Sequence, residues 1–101
     1  TMDDFKRMVN AAHQNGMKVI LDWVANHSAF DNVWTTSHRD FYLLDSLGNL
    51  MPPIGTDWTD VAQLNYENKA LWTAMIDAMK FWVKDCDVDG FRCDVAMKVP
   101  T

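Results

Sequence analysis

The fold of this chain is decided by two short apolar stretches. Residues 17–24 read MKVILDWV, and residues 91–96 read FRCDVA. Both stretches are rich in β-branched or aromatic residues and are too short for an average helix, so each predicts a buried strand. The first is almost continuously apolar, which is typical of a strand covered on both faces, as in a parallel sheet under helices.

A helical pattern precedes each of these strands. Apolar residues recur at three- and four-residue spacing in residues 1–15, where Thr1 can cap the helix and Asn15-Gly16 can end it. Residues 67–84 repeat the pattern with a wide apolar stripe, and Asn65 or Asn68 can cap that helix. The order helix, strand, long loop, helix, strand predicts an α/β fold with parallel strands.

The long segment between the first strand and the second helix has a different character. Residues 26–65 are rich in Asn, Asp, Ser, Thr, Pro and Gly, and Pro52-Pro53 breaks any helix. A connection of this length is usually functional or disordered. Its five aromatics favour an ordered excursion with a small cluster of its own: Phe30, Trp34, Phe41, Tyr42 and Trp58.

Composition excludes several classes of protein. The 101 residues are 49% hydrophobic and 23% charged, which excludes intrinsic disorder, and the net charge of −5 lacks the basic footprint of a nucleic-acid binder. We expect no membrane partner, because no apolar run is long enough for a span and no signal peptide opens the chain. Cys86 and Cys93 form no metal-binding or redox pair, so two buried thiols are expected.

The second strand carries a candidate nucleophile. Side chains alternate along a strand, so Arg92 and Asp94 share one face while Phe91 and Cys93 share the other, which suits packing under a helix. Arg92 and Asp94 must then point to the inner side, where an arginine keeps a neighbouring carboxylate ionised. The alternative is a structural ion pair within a core, which would be costly unless fully paired.

The first strand also ends in polar residues. Asp22 is followed by Asn26 and His27, and in a parallel sheet both polar groups fall at the C-terminal ends of strands, where active sites form. Read separately, these three residues could be a cap, a turn residue and a surface histidine. Asp57 and Asp60 in the loop could bind sugar or calcium, or only favour solubility.

These residues resemble two signatures of the α-amylase family of glycoside hydrolases. DWVANH at residues 22–27 resembles the signature on the third strand of that family's barrel, and GFRCD at residues 90–94 resembles the one on the fourth. Gln63-Leu64-Asn65 falls where a looser third signature ends, although Ala62-Gln63 stands where the family often carries Pro-Asp. The resemblance implies part of a (β/α)8 barrel, from helix two through strand four.

That resemblance also implies an organisation into three segments. Residues 1–29 and 66–101 would be barrel segments, and residues 30–65 would be a short version of the family's inserted domain B. A complete barrel takes roughly 250 residues. We therefore expect the chain to be a piece of a larger hydrolase.

Carried over residue by residue, the resemblance implies a role for each polar side chain. Asp94 matches the catalytic nucleophile, and Arg92 matches the arginine that keeps this carboxylate ionised and oriented. His27 matches a histidine that hydrogen-bonds the sugar, and Asp22 matches an aspartate that braces the site. Asn26 matches a position that supplies oxygen to calcium in the members that bind it, so the parent enzyme is expected to hold Ca²⁺.

The implied activity is retaining cleavage of α-glucosidic bonds in α-glucan or maltooligosaccharide. Such chemistry needs a general acid roughly 5–5.5 Å from the nucleophile. In the family that acid comes from a later strand, and the only glutamate here is Glu67. We therefore expect no turnover by this piece alone. The alternatives are a non-catalytic α-glucan-binding module and a self-associating fragment with unpaired strand edges.

Overall fold

The secondary structure follows the predicted order. A computed structural model describes residues 1–58, 60–96 and 99. Its elements are α1 (Met2–Gln14), β1 (Ile20–Val24), β2 (His27–Ala29), α2 (Trp34–Ser37), β3 (Val61–Gln63), α3 (Lys69–Cys86) and β4 (Gly90–Asp94), with a 3₁₀ turn at Arg39–Phe41. The last segment predicted from sequence, residues 66–101, therefore ends outside the described residues.

Both long helices begin at caps that the sequence offered. The Thr1 hydroxyl accepts a hydrogen bond from the Asp4 backbone N–H, and the Asp4 carboxylate accepts one from the Thr1 backbone nitrogen, forming a capping box. At α3 the Asn68 side chain accepts from the Ala70 N–H, so Asn68 is the cap. Asp87 ends α3 in the left-handed conformation, which Asp tolerates better than most residues.

β1 and β4 pair in parallel, as predicted. Asp22 lies opposite Arg92, and Val24 lies opposite Asp94. Leu21 and Phe91, on the other face, pack against a core cluster formed by Val9, Cys86 and Val88. Two helices therefore cover one face of this sheet.

The prediction that β1 is covered on both faces is wrong for the described chain. The burial of its residues alternates, and Ile20, Asp22 and Val24 are all exposed. The physical reason is that α1 and α3 pack only on the face that carries Leu21 and Phe91. The opposite face is the one that presents the polar residues.

The excursion between β1 and α3 has its own core, as predicted. β2 and β3 pair antiparallel at its base, with His27 opposite Gln63. Above this pair lies a cluster of buried residues: Phe41, Tyr42, Ala62, Leu64 and Leu71. Phe30 and Trp34 pack against that cluster, whereas Trp58 lies beside His27. Four of the five loop aromatics thus stabilise the excursion, and the fifth lies near the polar strand ends.

One of the two cysteines departs from expectation. Cys86 is buried, but Cys93 is exposed, so the prediction of two buried thiols is wrong for Cys93. Cys93 lines an open apolar cleft with Met75 and Met79 of α3.

The radius of gyration is 15.7 Å, against about 13 Å for a compact domain of this length. None of the described helices has both the length and the apolarity needed to cross a membrane.

Candidate active site

Arg92 stands between two carboxylates. Its Nη1 donates a hydrogen bond to Asp22 Oδ1 at 2.9 Å, and its Nη2 lies 3.5 Å from Asp94 Oδ1. Strand geometry produces this arrangement, because Arg92 and Asp94 are two positions apart on β4 and Asp22 is the register partner of Arg92 on β1. The structure thus places all three on one face, as strand alternation predicted for Arg92 and Asp94.

This ion-pair triad is open to solvent. The side chains of Arg92 and Asp22 are 60% and 61% exposed, and that of Asp94 is 41% exposed. The alternative of an ion pair within a core is therefore wrong for the described chain. Because exposed ion pairs contribute only about 0–1 kcal/mol to folding, stability alone is a weak reason for this arrangement.

The two carboxylates keep Arg92 charged. The hydrogen bond to Asp22 raises the pKa of Arg92 above its ordinary value, and the negative charges of Asp22 and Asp94 raise it further. Arg92 is therefore a permanent cation beside Asp94. A fixed cation favours the ionised form of a neighbouring carboxylate, which is the form that acts as a nucleophile.

Asp94 lines a pocket that also contains His27. This pocket has a volume of about 260 Å³ and is lined by His27, Trp58, Asp60, Val61, Asp94 and Val95. The rings of His27 and Trp58 meet edge to face, with centroids 5.6 Å apart. The pocket therefore joins the polar ends of both parallel strands to the returning part of the excursion.

Two members of this pocket, Trp58 and Asp60, are not among the site residues that the family resemblance implies. Trp58 belongs to the aromatic loop through which the alternative module would bind α-glucan, and Asp60 is one of the two loop aspartates that could bind sugar or calcium. The only signal was a tryptophan between two aspartates in a polar loop. Asp57 does not line the pocket, whereas Asp60 does.

The backbone turns sharply directly after Asp94. Val95 has φ of 52°, in the left-handed region that β-branched residues rarely adopt. Such conformations cost on the order of 1–3 kcal/mol and cluster at functional sites. Val95 lines the same pocket as Asp94.

Comparison with known proteins identifies the family. The family model described as alpha amylase, catalytic domain, matches residues 1–52 and 54–101. The chain belongs to the α-amylase family of glycoside hydrolases. This match confirms the resemblance noted in the two strand signatures. The parallel pairing of β1 and β4 is also the pairing expected in part of a (β/α)8 barrel.

Solved structures and curated relatives of this α-amylase-family chain agree in fold. The α-amylase of Lactobacillus plantarum is 44% identical, with a TM-score of 0.91 over 99% of this chain and 23% of that one. The Geobacillus thermoleovorans α-amylase, solved in complex with acarbose, is 34% identical, with a TM-score of 0.76 over 99% of this chain and 24% of its own. MalA, an α-amylase of Haloarcula japonica, is 33% identical over 108 residues, which is 99% of this chain and 16% of MalA.

The α-amylase-family chain thus spans less than a quarter of each of these proteins. The curated trehalose synthase/amylase TreS of Mycolicibacterium smegmatis gives a similar share, 21%. The family and the fold are therefore shown, whereas the activity and the substrate of a whole protein go beyond the comparisons.

The residues expected to hold calcium do not fit a cation. Asn26 is fully buried, and its side-chain oxygen accepts a hydrogen bond from Gln63 Nε2 at 3.2 Å. Its Nδ2 lies 3.3 Å from His27 Nδ1. An N–H donor therefore occupies the oxygen that a cation would need. Within residues 1–58, 60–96 and 99, no group of three or more His, Cys, Asp or Glu is placed to hold a metal ion.

The remaining histidines lie away from this pocket. His13 of α1 pairs with Asp89, its Nε2 lying 2.8 Å from Asp89 Oδ2 just before β4 begins. His38 stacks on Phe41 within the excursion. Of the three histidines, His27 alone lines the pocket that contains Asp94.

Proposed function

We propose that this chain supplies the nucleophile and its supporting residues to a retaining hydrolase of α-glucosidic bonds. Asp94 would be the nucleophile, Arg92 would orient it, Asp22 would brace Arg92, and His27 would bind the sugar. The observation that carries this proposal is the Arg92 guanidinium, which joins the carboxylates of Asp22 and Asp94 on the exposed face of the parallel pair.

The proposed reaction proceeds in two displacements. An Asp94 oxygen attacks the anomeric carbon, the bond from that carbon to the bridging oxygen breaks, and the leaving oxygen takes a proton from a general acid. Water then attacks the anomeric carbon of the glycosyl ester and the bond to the Asp94 oxygen breaks, which releases the sugar and restores the carboxylate, while the proton lost by the water returns to the deprotonated general acid. Arg92 would hold its positive charge beside the attacking carboxylate, with Nη2 3.5 Å from Asp94 Oδ1.

His27 and Trp58 would form the sugar-binding side of the pocket. The His27 ring nitrogens can hydrogen-bond a hydroxyl, and the Trp58 ring offers an apolar face of the kind on which sugar rings stack. Both line the pocket that contains Asp94. The α-amylases among the relatives, one of them bound to acarbose, favour an α-glucan or maltooligosaccharide as the substrate class.

A segment exchange tests the roles of these residues. The 101 residues would replace the matching segment of the Lactobacillus plantarum α-amylase, which supplies the rest of a barrel. We expect the chimera to hydrolyse starch, and Asp94→Asn to lower kcat/KM roughly 10³-fold or more. The matched control is Asp77→Asn on the exposed surface of α3. A folded Asp94→Asn chimera with unchanged activity would contradict the proposal.

A second readout identifies the nucleophile directly. With 5-fluoro-α-glucosyl fluoride, the Asp94 oxygen would bond to the anomeric carbon while the carbon–fluorine bond breaks and fluoride leaves with the electron pair. No acid is needed for that leaving group. Mass spectrometry of the digested chimera should find the added sugar on the peptide that contains Asp94, and no label in the Asp94→Asn chimera.

We also propose that the 101 residues on their own do not turn over α-glucan. Glu67 is their only glutamate, and it lies just before α3 rather than in the pocket. Release of reducing sugar from maltooligosaccharide by the purified chain would contradict this expectation.

A non-catalytic α-glucan-binding role is the second candidate, and Trp58 favours it because its indole is partly exposed beside His27. It predicts that the chain is retarded in glycogen gels, that Asp94→Asn leaves this retardation unchanged and that Trp58→Ala removes it. The catalytic proposal instead requires the loss of activity on Asp94→Asn. A third possibility, self-association, rests on the exposed apolar side chains of α3.

A further inference from the structure

Three oxygen atoms converge on one amide nitrogen at the base of the excursion. Gln63 Nε2 donates to the main-chain oxygens of Asn26 and Leu64, both at 3.0 Å, and lies 3.2 Å from Asn26 Oδ1. Because main-chain carbonyls only accept, the nitrogen of the Gln63 amide must face them. The two N–H groups of this nitrogen thus face three acceptor oxygens, so one N–H is shared between two of them.

The side-chain amides of Asn26 and Gln63 also form a hydrogen bond in which Asn26 is the donor. Asn26 Nδ2 donates to Gln63 Oε1 at 3.3 Å. The main-chain oxygen of Asn26 also accepts a hydrogen bond from the Leu64 N–H at 3.1 Å, and this bond continues the β2–β3 pairing. Gln63 therefore links the residue that follows β1 to the strand through which the excursion returns.

Burial makes the central donor necessary. Asn26 and Leu64 are both fully buried, so oxygens that converge there without a partner would lose hydration and gain nothing in return. Unpaired oxygens of this kind destabilise the folded state. Either a cation or an N–H donor can neutralise three oxygens that face one point, and Gln63 supplies the donor.

We infer that the Gln63 amide takes the place of a bound cation, and that the base of the excursion is held without calcium. This inference does not depend on the role of Asp94, since it concerns only how residues 26 and 63–64 are joined. It accounts for the poor fit of Asn26 to a cation, because the oxygen that a cation would need is already satisfied.

The decisive variant is Gln63→Glu, which keeps the shape of the side chain but replaces the donor with a carboxylate oxygen. Five oxygens would then meet without the central donor Nε2, two of them sharing a negative charge, and only the Leu64 N–H and Asn26 Nδ2 would remain as donors. Hard oxygen ligands of this kind bind Ca²⁺. We expect Gln63→Glu to unfold roughly 5 °C or more below the native chain in EGTA, and millimolar calcium to recover most of that loss.

The native chain supplies the complementary measurement. Its unfolding temperature should be the same in EGTA and in millimolar calcium, and isothermal titration with calcium chloride should give no saturable heat. The matched control is Gln14→Glu at the exposed end of α1, which makes the same chemical change away from the three oxygens. Its unfolding temperature should not depend on calcium.

Two results would overturn the inference. One is calcium binding to, or calcium stabilisation of, the native chain. The other is a Gln63→Glu chain that is equally unstable in EGTA and in calcium, or as stable as the native chain in both. If Gln63→Glu does not fold in EGTA, refolding it in calcium decides the question: recovery supports the inference, and failure in both conditions counts against it.

Discussion

Arg92 holds Asp22 more closely than it holds Asp94, at 2.9 Å against 3.5 Å. The shorter contact is a hydrogen bond across the β1–β4 pair, so the guanidinium is anchored on the neighbouring strand. Asp94 is close enough for an electrostatic interaction with the guanidinium but makes no short hydrogen bond with it. A proposed nucleophile needs this combination, since a strong hydrogen bond would occupy the oxygen that attacks.

The first prediction concerns this anchor. In the segment-exchanged α-amylase, Arg92→Lys should lower kcat by roughly 10²-fold, the effect expected of about 1 Å of misplacement. A single ammonium cannot span two carboxylates as the planar guanidinium does. Steady-state kinetics on maltooligosaccharide would measure it, with Arg39→Lys in the excursion as the control. An unchanged kcat in Arg92→Lys would show that the bridge has no role in the reaction.

The second prediction concerns Trp58. Trp58→Ala in the same chimera should raise KM roughly tenfold, equivalent to about 1.4 kcal/mol of lost binding, with a smaller change in kcat. Trp58→Phe should retain most of the affinity, because an aromatic face remains. Trp72→Ala on α3 is the control away from the pocket. Equal KM values for Trp58→Ala and the parent chimera would remove Trp58 from the sugar-binding side.

Local pattern was enough to predict the two parallel strands, the two long helices and the shared face of Arg92 and Asp94, but not the short elements of the excursion, β2, α2 and β3. Those features depend on spacing of two, three or four residues, and the structure follows them. The Thr1 and Asn68 caps were also readable, because a cap acts on backbone groups only two or three positions away.

What the sequence did not predict depends on contacts between distant residues. Asn26 and Gln63 are 37 positions apart, and no periodicity marks their amide pair. The approach of Trp58 to His27 is likewise set by the path of the excursion. The burial of β1 was overestimated because an apolar run indicates what a strand can bury, and the described helices pack on only one of its faces.

The third prediction uses the pKa of Asp89. Its Oδ2 accepts from the Val19 N–H at 2.7 Å and lies 2.8 Å from His13 Nε2, and these contacts, the Val19 bond first, lower the pKa of Asp89. Because the pKa of Asp89 is lower in the folded chain than its ordinary value of 3.8, its ionised form stabilises the folded state. This stabilisation is fully present above pH 3.8 and is lost as the pH falls through the pKa of the folded chain. Asp89→Asn should therefore unfold at a lower temperature than the native chain near neutral pH.

That difference should shrink as the pH falls below 3.8. Thermal unfolding followed by circular dichroism across the acid range would measure it. For the control Asp77→Asn, at an exposed position of α3, the difference in unfolding temperature from the native chain should not shrink over the same pH range. A difference for Asp89→Asn that stays constant down to the most acidic pH would refute the linkage.

The fourth prediction concerns self-association of the chain on its own. Trp72 and Ile76 of α3 are exposed, and they line an apolar cleft of about 240 Å³ together with Trp23, Met79 and Cys93. Sedimentation velocity should detect dimers or larger species, and Ile76→Lys should shift the chain toward monomer. Lys80→Gln on the same helix is the control. A native chain that sediments as a monomer at all concentrations would exclude this behaviour.

The excursion leaves and returns through one paired base, where His27 lies opposite Gln63. Ends that are already fastened together let the distal tip, the exposed turn around Leu47 and Gly48, change length at little cost, since doubling a loop adds only about 0.6 kcal/mol of closure entropy. The tip is thus a natural place to graft a foreign peptide while leaving β1 and β4 where they are.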